Sequence, residues 1–160
     1  MDKHSFHYLL CFFADSGIDC SLSGSTAVAS IIRGSQLWSV CVGDSRLICV
    51  RQQNETSCSA QSITTDHKPD MDVERARVIA AGGRVMSTRN RLAPHIVGPP
   101  RVWLKDVPAP GLAMSRSLGD LVAKAAGVVS APDRVHFILG EDHSAIVLGS
   151  DGVSRAILQK

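Results

Sequence analysis

The stretch "SVCVGDSRLICVRQ", residues 39–52, decides the fold. Two runs rich in β-branched and aliphatic residues, Leu37 to Val42 and Arg46 to Val50, meet at the crease Gly43-Asp44-Ser45-Arg46. Gly-Asp is ordinary turn chemistry. A carboxylate at the end of a buried strand, beside a glycine that leaves the backbone uncrowded, also presents a hard oxygen ligand at a fixed point. The local pattern leaves both readings of Asp44 open.

Upstream, "TAVASII" (26–32) has strand length and is followed by the turn-like "RGSQ" (33–36). With the two runs above it reads as an antiparallel meander. A serine- and glutamine-rich connection is expected over 52–62. The period then changes. "DHKPDMDVERARVIAAGGRV" (66–85) predicts a short amphipathic helix, with Asp70 or Asp72 as N-cap and Glu74 in the first turn. Val73, Ala76, Ile79 and Ala80 form its apolar face, and Gly82 or Gly83 is its stop. Residues 87–111 carry five prolines and no sustained period, which predicts an extended loop or flap with a short strand near Val102-Trp103. "GLAMSRSLGD" (111–120) begins as a strand and ends in a turn, "LVAKAAG" (121–127) reads as a helical turn or two, and "RVHFIL" (134–139) and "SAIVLGSDG" (144–152) as the last strands. Strands, helix, loop and strands in that order indicate α+β.

The chain has 160 residues, one domain's worth, so 1–160 is read as a single domain. Apolar residues make up 44% and charged residues 20%, as in soluble globular proteins. The net charge of +2 is scattered, which leaves no electrostatic footprint for nucleic acid. "YLLCFFA" (8–14) is too short to span a bilayer, so no membrane partner is expected. The five cysteines include no CxxC pair, which argues against a disulfide framework or zinc site and for a reducing, intracellular compartment.

Two strands end alike. "VCV" runs into Gly43-Asp44, and "IVLGS" into Asp151-Gly152. Together they suggest a site for magnesium or manganese, which take such oxygens. His67 in "DHKPD" is a candidate acid or base, although a turn-packing role suits its place better. Arg116 and Asp120 in "SRSLGD" are supporting candidates: they could pair with each other, or Asp120 could line the same site as Asp44. Gly82-Gly83 follows a helix, so it is no phosphate loop.

In order, "SLSGSTAV", "VCVGDSRLICV", "TTDHKPD" with "ERARVIAAGGRV", "GLAMSRSLGD" and "VLGSDGV" resemble the metal-dependent protein phosphatases of type 2C, the PPM family, from about Ser21 to Val153. The stretch "PPRVWLKDVPAPGLAMSRSLGD" looks especially like the plant and protist branches. The resemblance implies a four-layer α-β-β-α sandwich of two antiparallel sheets flanked by helices. It also implies a binuclear Mg or Mn centre that hydrolyses phosphoserine and phosphothreonine on proteins, in an enzyme that is a monomer. A metal-bridging water, acidified by the cations, attacks phosphorus directly. By the same resemblance Asp151 is a ligand of the main centre and Asp44 of an additional metal position. Gly43 and Ser45 shape the Asp44 turn, Gly152 is a supporting residue beside Asp151, and the 84–110 flap lies beside the site. The family's upstream Asp-Gly-His segment, its phosphate-gripping arginine and its later Asp-Asn motif have no counterpart here, and Arg155 stands where the family carries an acidic residue. The expectation is therefore a domain incomplete at both ends, with little or no activity. The alternative is a catalytically inactive pseudophosphatase that binds phosphoproteins, in the cytoplasm or nucleus.

Overall fold

The computed structural model of the chain describes residues 17–89 and 97–153; the apolar run at 8–14 lies outside them. The described elements run in the order β1 (Gly24–Ser25), β2 (Ala27–Arg33), β3 (Gln36–Val42), β4 (Arg46–Asn54), β5 (Ser57–Ser62), α1 (Asp72–Ala80), β6 (Arg84–Arg89), β7 (Val97–Trp103), β8 (Pro110–Leu112), β9 (Leu118–Gly119), α2 (Leu121–Lys124), β10 (Asp133–Ile138) and β11 (His143–Gly149). They fall into two compact units. One runs up to Ser25 and resumes over His67–Ala131; the other holds Thr26–Asp66 and resumes at Pro132.

In the second unit, β3 buries Leu37, Ser39 and Cys41 in alternation with exposed Gln36 and Trp38 and half-buried Val40, the period of a strand with one face inward, and buries Val42 as well at its end. It is the central strand of the antiparallel sheet β10-β3-β2. β4 buries Leu47, Ile48 and Cys49 in succession and is central in a second sheet, β11-β4-β5. The meander reading is thus half right. β2 and β3 form a hairpin through Gly34, at φ +59°, but β3 and β4 do not pair. Gly43-Asp44-Ser45 carries the chain from one sheet to the other. Leu37, Cys41, Val42, Leu47, Ile48 and Cys49, from the central strands of both sheets, are each at most 2% exposed. Each large aliphatic side chain so buried is worth roughly 1.5–3 kcal/mol. The expected connection over 52–62 is mostly strand. β4 runs on to Asn54, and β5 pairs with it from Ile48↔Ser62 to Asn54↔Ser57. Polar "SCSAQS" hid this because β5 is a largely exposed edge strand.

In the first unit, α1 forms as expected, but its N-cap is Met71, in extended backbone and without a side-chain cap, rather than Asp70 or Asp72. Its buried positions are Glu74 and Val78, four apart. Val73 and Ile79, taken for the apolar face, are 75% and 51% exposed. Val78 packs with Val85, Val102, Ala123, Ala126 and Val128 in an apolar cluster. The segment 84–110 also differs from expectation. It contains β6 and β7, which with β8 make a three-stranded antiparallel sheet in the order β6-β7-β8. Pro100 pairs with Ser87 of β6, where β7 has no β8 residue on its other side; β8 reaches only Val102 and Trp103. A residue without an N–H is tolerated at such a position.

Candidate metal-bearing turns and a buried carboxylate

Hydrogen bonds within its own unit anchor the Asp44 turn. Gly43 adopts φ +93°, a left-handed conformation that glycine reaches without steric cost. The Ser45 hydroxyl lies 2.7 Å from the Thr26 hydroxyl, and the Cys41 thiol donates to the Ser45 carbonyl at 3.1 Å. The Arg46 guanidinium donates through Nε and Nη2 to the two Asp66 carboxylate oxygens at 2.9 and 2.8 Å. The Leu47 amide donates to Thr64 Oγ1 at 2.9 Å. Asp44 itself is buried, at 6% exposure.

Strand register relates this turn to the other sequence candidate. β11 is antiparallel to β4, and their last partners are Gly149↔Arg46. Asp44 lies two residues before Arg46 and Asp151 two after Gly149, so both carboxylate-bearing turns leave the same end of the β4–β11 pair. Asp151 is half-buried and opens a helical turn in which the Val153 amide donates to the Ser150 carbonyl. Among the described residues, no group of three or more His, Cys, Asp or Glu side chains is arranged to hold a metal ion.

Asp120, Arg116 and His67 belong to the first unit. Asp120 is buried and left-handed at φ +48°. Its amide donates to the Ser23 carbonyl, beside the short β1–β9 ladder. Arg116 does not pair with Asp120. It engages Glu74, with Nη2 at 2.7 Å and Nε at 3.0 Å from Oε1, while Nη1 donates to the Ala131 carbonyl. Glu74, which the sequence suggested only as a first-turn acid, is the most heavily bonded carboxylate described. Arg77 reaches it at 2.8 and 2.6 Å, and the Ser115 hydroxyl donates to it at 2.5 Å. Burial works to raise its pKa, but the hydrogen bonds from Arg77, Arg116 and Ser115 outweigh it and hold the carboxyl well below the usual range. The cluster ties α1 to the 115–116 segment. Its only sequence signal was an acid three residues before Arg77. His67 is 2% exposed, and its carbonyl accepts the Ser115 amide, in keeping with the turn-packing role. Lys124 donates to the Ser117 carbonyl at 2.7 Å, and burial pushes its ammonium down to about 8 against the opposing charge of Asp120.

Solved structures share this architecture. A serine-threonine phosphatase 2C from Toxoplasma gondii superposes with a TM-score of 0.76 at 23% identity, over 96% of this chain and 48% of its own. A C. elegans sex-determining protein superposes with a TM-score of 0.71 at 22% identity, over 94% of this chain and 32% of its own. At such identities the likeness defines the fold class, the antiparallel-sheet architecture expected of the type 2C phosphatases. Sequence carries the assignment further. The family model for protein phosphatase 2C matches residues 12–158, and the chain belongs to that family. It is 41% identical over 136 residues to probable protein phosphatase 2C 52 of Arabidopsis thaliana, and 40% identical over 137 residues to probable protein phosphatase 2C 64 of Oryza sativa subsp. japonica. Each match takes in 85% of this chain, but only 28% and 31% of the respective relative.

Proposed function

We propose that the chain carries part of the active centre of a Mg- or Mn-dependent protein serine/threonine phosphatase, with Asp44 and Asp151 as cation ligands and phosphorylated proteins as substrates. The observation that supports this most directly is the β4–β11 register, which sends the two aspartate turns off one strand end. Magnesium is commonly held by one or two carboxylates, with waters and substrate phosphate completing its shell. The two aspartates therefore fit one hydrated cation. They do not fit a binuclear centre, whose two divalent charges call for more carboxylates than the described residues bring together. When bound, a cation supplies acidified water and offsets phosphoryl charge. The chain's own part is to hold it: Asp44 and Asp151 supply oxygen, and Gly43, at φ +93°, lets the Asp44 turn form, with Gly152 beside Asp151 as a supporting residue.

Asp120 remains a supporting candidate in this reading, whereas Arg116 acts through Glu74 on the fold of its own unit. The 84–110 segment is kept as the flap that selects substrate. We infer an intracellular monomer in the cytoplasm or nucleus, with neither nucleic acid nor membrane as partner. In support, Cys20, Cys41, Cys49 and Cys58 are all free thiols, as a reducing compartment keeps them.

The small carboxylate set also favours a second reading, a non-catalytic module that binds phosphoproteins. Calorimetric titration of Mn, with phosphate release from a phosphothreonine peptide, separates the two. The first reading expects Mn binding that weakens roughly tenfold or more in Asp44→Asn and in Asp151→Asn. No binding at millimolar Mn, together with retained affinity for the phosphopeptide, would establish the second and overturn the first.

A further inference from the structure

An arginine two residues from a carboxylate that is to hold a cation is a hazard, because a guanidinium pairs with carboxylates in a strong two-pronged geometry and competes for the same oxygens. Arg46 stands in that relation to Asp44. Its side-chain hydrogen bonds nevertheless both go to Asp66, Nε to Oδ1 at 2.9 Å and Nη2 to Oδ2 at 2.8 Å. The pair is well shielded, with side-chain exposures of 24% and 12%. The charge on Asp44 also acts on Arg46, more weakly than the hydrogen bond to Asp66 and the opposing effect of burial. Two residues before Asp66 the backbone is tied to the same unit: the Thr64 hydroxyl accepts the Leu47 amide and the Thr64 carbonyl accepts the Ser62 hydroxyl at 2.8 Å.

We propose that Asp66 is a positioning residue for the cation site: it engages the Arg46 guanidinium and keeps it from pairing with the Asp44 carboxylate. This rests on the reading of Asp44 as a cation ligand. Asp66 touches neither cation nor substrate. It acts through Arg46, which is why ligand motifs give no hint of it.

The sign of the effect separates this role from a merely structural one. In Asp66→Asn the guanidinium loses its charged partner and turns to Asp44, so Mn affinity measured by calorimetry falls about tenfold, the scale of one hydrogen bond to a charged group. Adding Arg46→Gln removes the competitor, and the double variant recovers to within about threefold of the parent. A structural role predicts the opposite, since the double variant lacks both halves of the anchor. Unchanged affinity in Asp66→Asn, or loss without recovery in Asp66→Asn/Arg46→Gln, overturns the proposal.

A second readout needs no metal. In a proton–nitrogen NMR spectrum, the Arg46 Nε–H signal in Asp66→Asn should move again when Asp44→Asn is added, and an unmoved signal overturns the proposal on its own. Failure of the parent chain to bind Mn refutes the reading of Asp44 as a ligand. The NMR comparison still decides whether Asp66 keeps Arg46 from Asp44.

Discussion

Truncating Glu74 to alanine strips one carboxylate from between two guanidiniums and a serine hydroxyl. The Glu74 side chain is 3% exposed, and its partners Arg116 and Arg77 are 13% and 27% exposed. Removing one member of a buried ion pair costs about 3–5 kcal/mol, because the charge left behind stays desolvated. Arg77 can turn partly to water and keeps carbonyl partners at Gly127 and Ser115, so the lower end, about 3 kcal/mol, is expected. With a urea slope of about 2 kcal/mol per molar, the unfolding midpoint should fall by about 1.5 M at unchanged slope. Followed by far-ultraviolet circular dichroism, Glu74→Ala, Arg116→Ala and the double variant form a cycle. The double variant should cost less than the sum of the singles, with a coupling of about 1–3 kcal/mol. A midpoint shift below about 0.5 M in Glu74→Ala, or strict additivity, would refute the claim that this carboxylate anchors α1.

The same group sets an acid limb. Its folded pKa lies below the unfolded value of about 4.3, so its contribution is whole above that pH and is lost as pH falls further. Midpoints measured between about pH 6 and 3 should fall with acid, and less steeply in Glu74→Gln. Lys124 works the other way. Its pKa of about 8 lies below the unfolded value of about 10.4, so the unfolded chain binds the extra proton and this group adds stability as pH rises between them. Carbon NMR of the lysine Cε should show Lys124 titrating near 8, and titration at the ordinary value would contradict its burial. Gly24→Ala puts a methyl into the Asp120 carboxylate and within 2.6 Å of the Leu118 carbonyl, at a cost of about 1–3 kcal/mol in thermal melts. Gly152→Ala meets open space and should stay within about 0.5 kcal/mol of the parent.

Much of the second unit was legible because its strands alternate or run apolar, and because Gly43-Asp44 and Asp151-Gly152 punctuate them. What the sequence could not convey is that β3 and β4 belong to different sheets, since a glycine turn within a sheet and one between sheets read alike. β5 escaped notice because an edge strand with few buried positions has no apolar pattern to display. The partners of α1 were misjudged because Val73 and Ile79 carry the helical period, while the two buried positions are Val78 and an acid, Glu74. Burial of Glu74 follows from two arginines, one of them Arg116, forty-two residues further along the chain, and no local pattern encodes such a meeting. Asp66 went unremarked in "TTDHKPD" for a related reason, its partner lying twenty residues upstream.

The β4–β11 ladder has one irregularity, between His143 and Ala145, and is regular from Ala145↔Val50 to Gly149↔Arg46. All its slack therefore sits at the end remote from the aspartate turns. Extra residues grafted into the connection at 140–143 can be absorbed there, as bulges and exposed turns allow. One residue inserted between Leu148 and Asp151 has no such buffer, and would turn the second carboxylate to the opposite side of its strand. For anyone designing fusions or reporter insertions in this chain, the connection between β10 and β11 is the permissive address and the last rung of the ladder is the forbidden one.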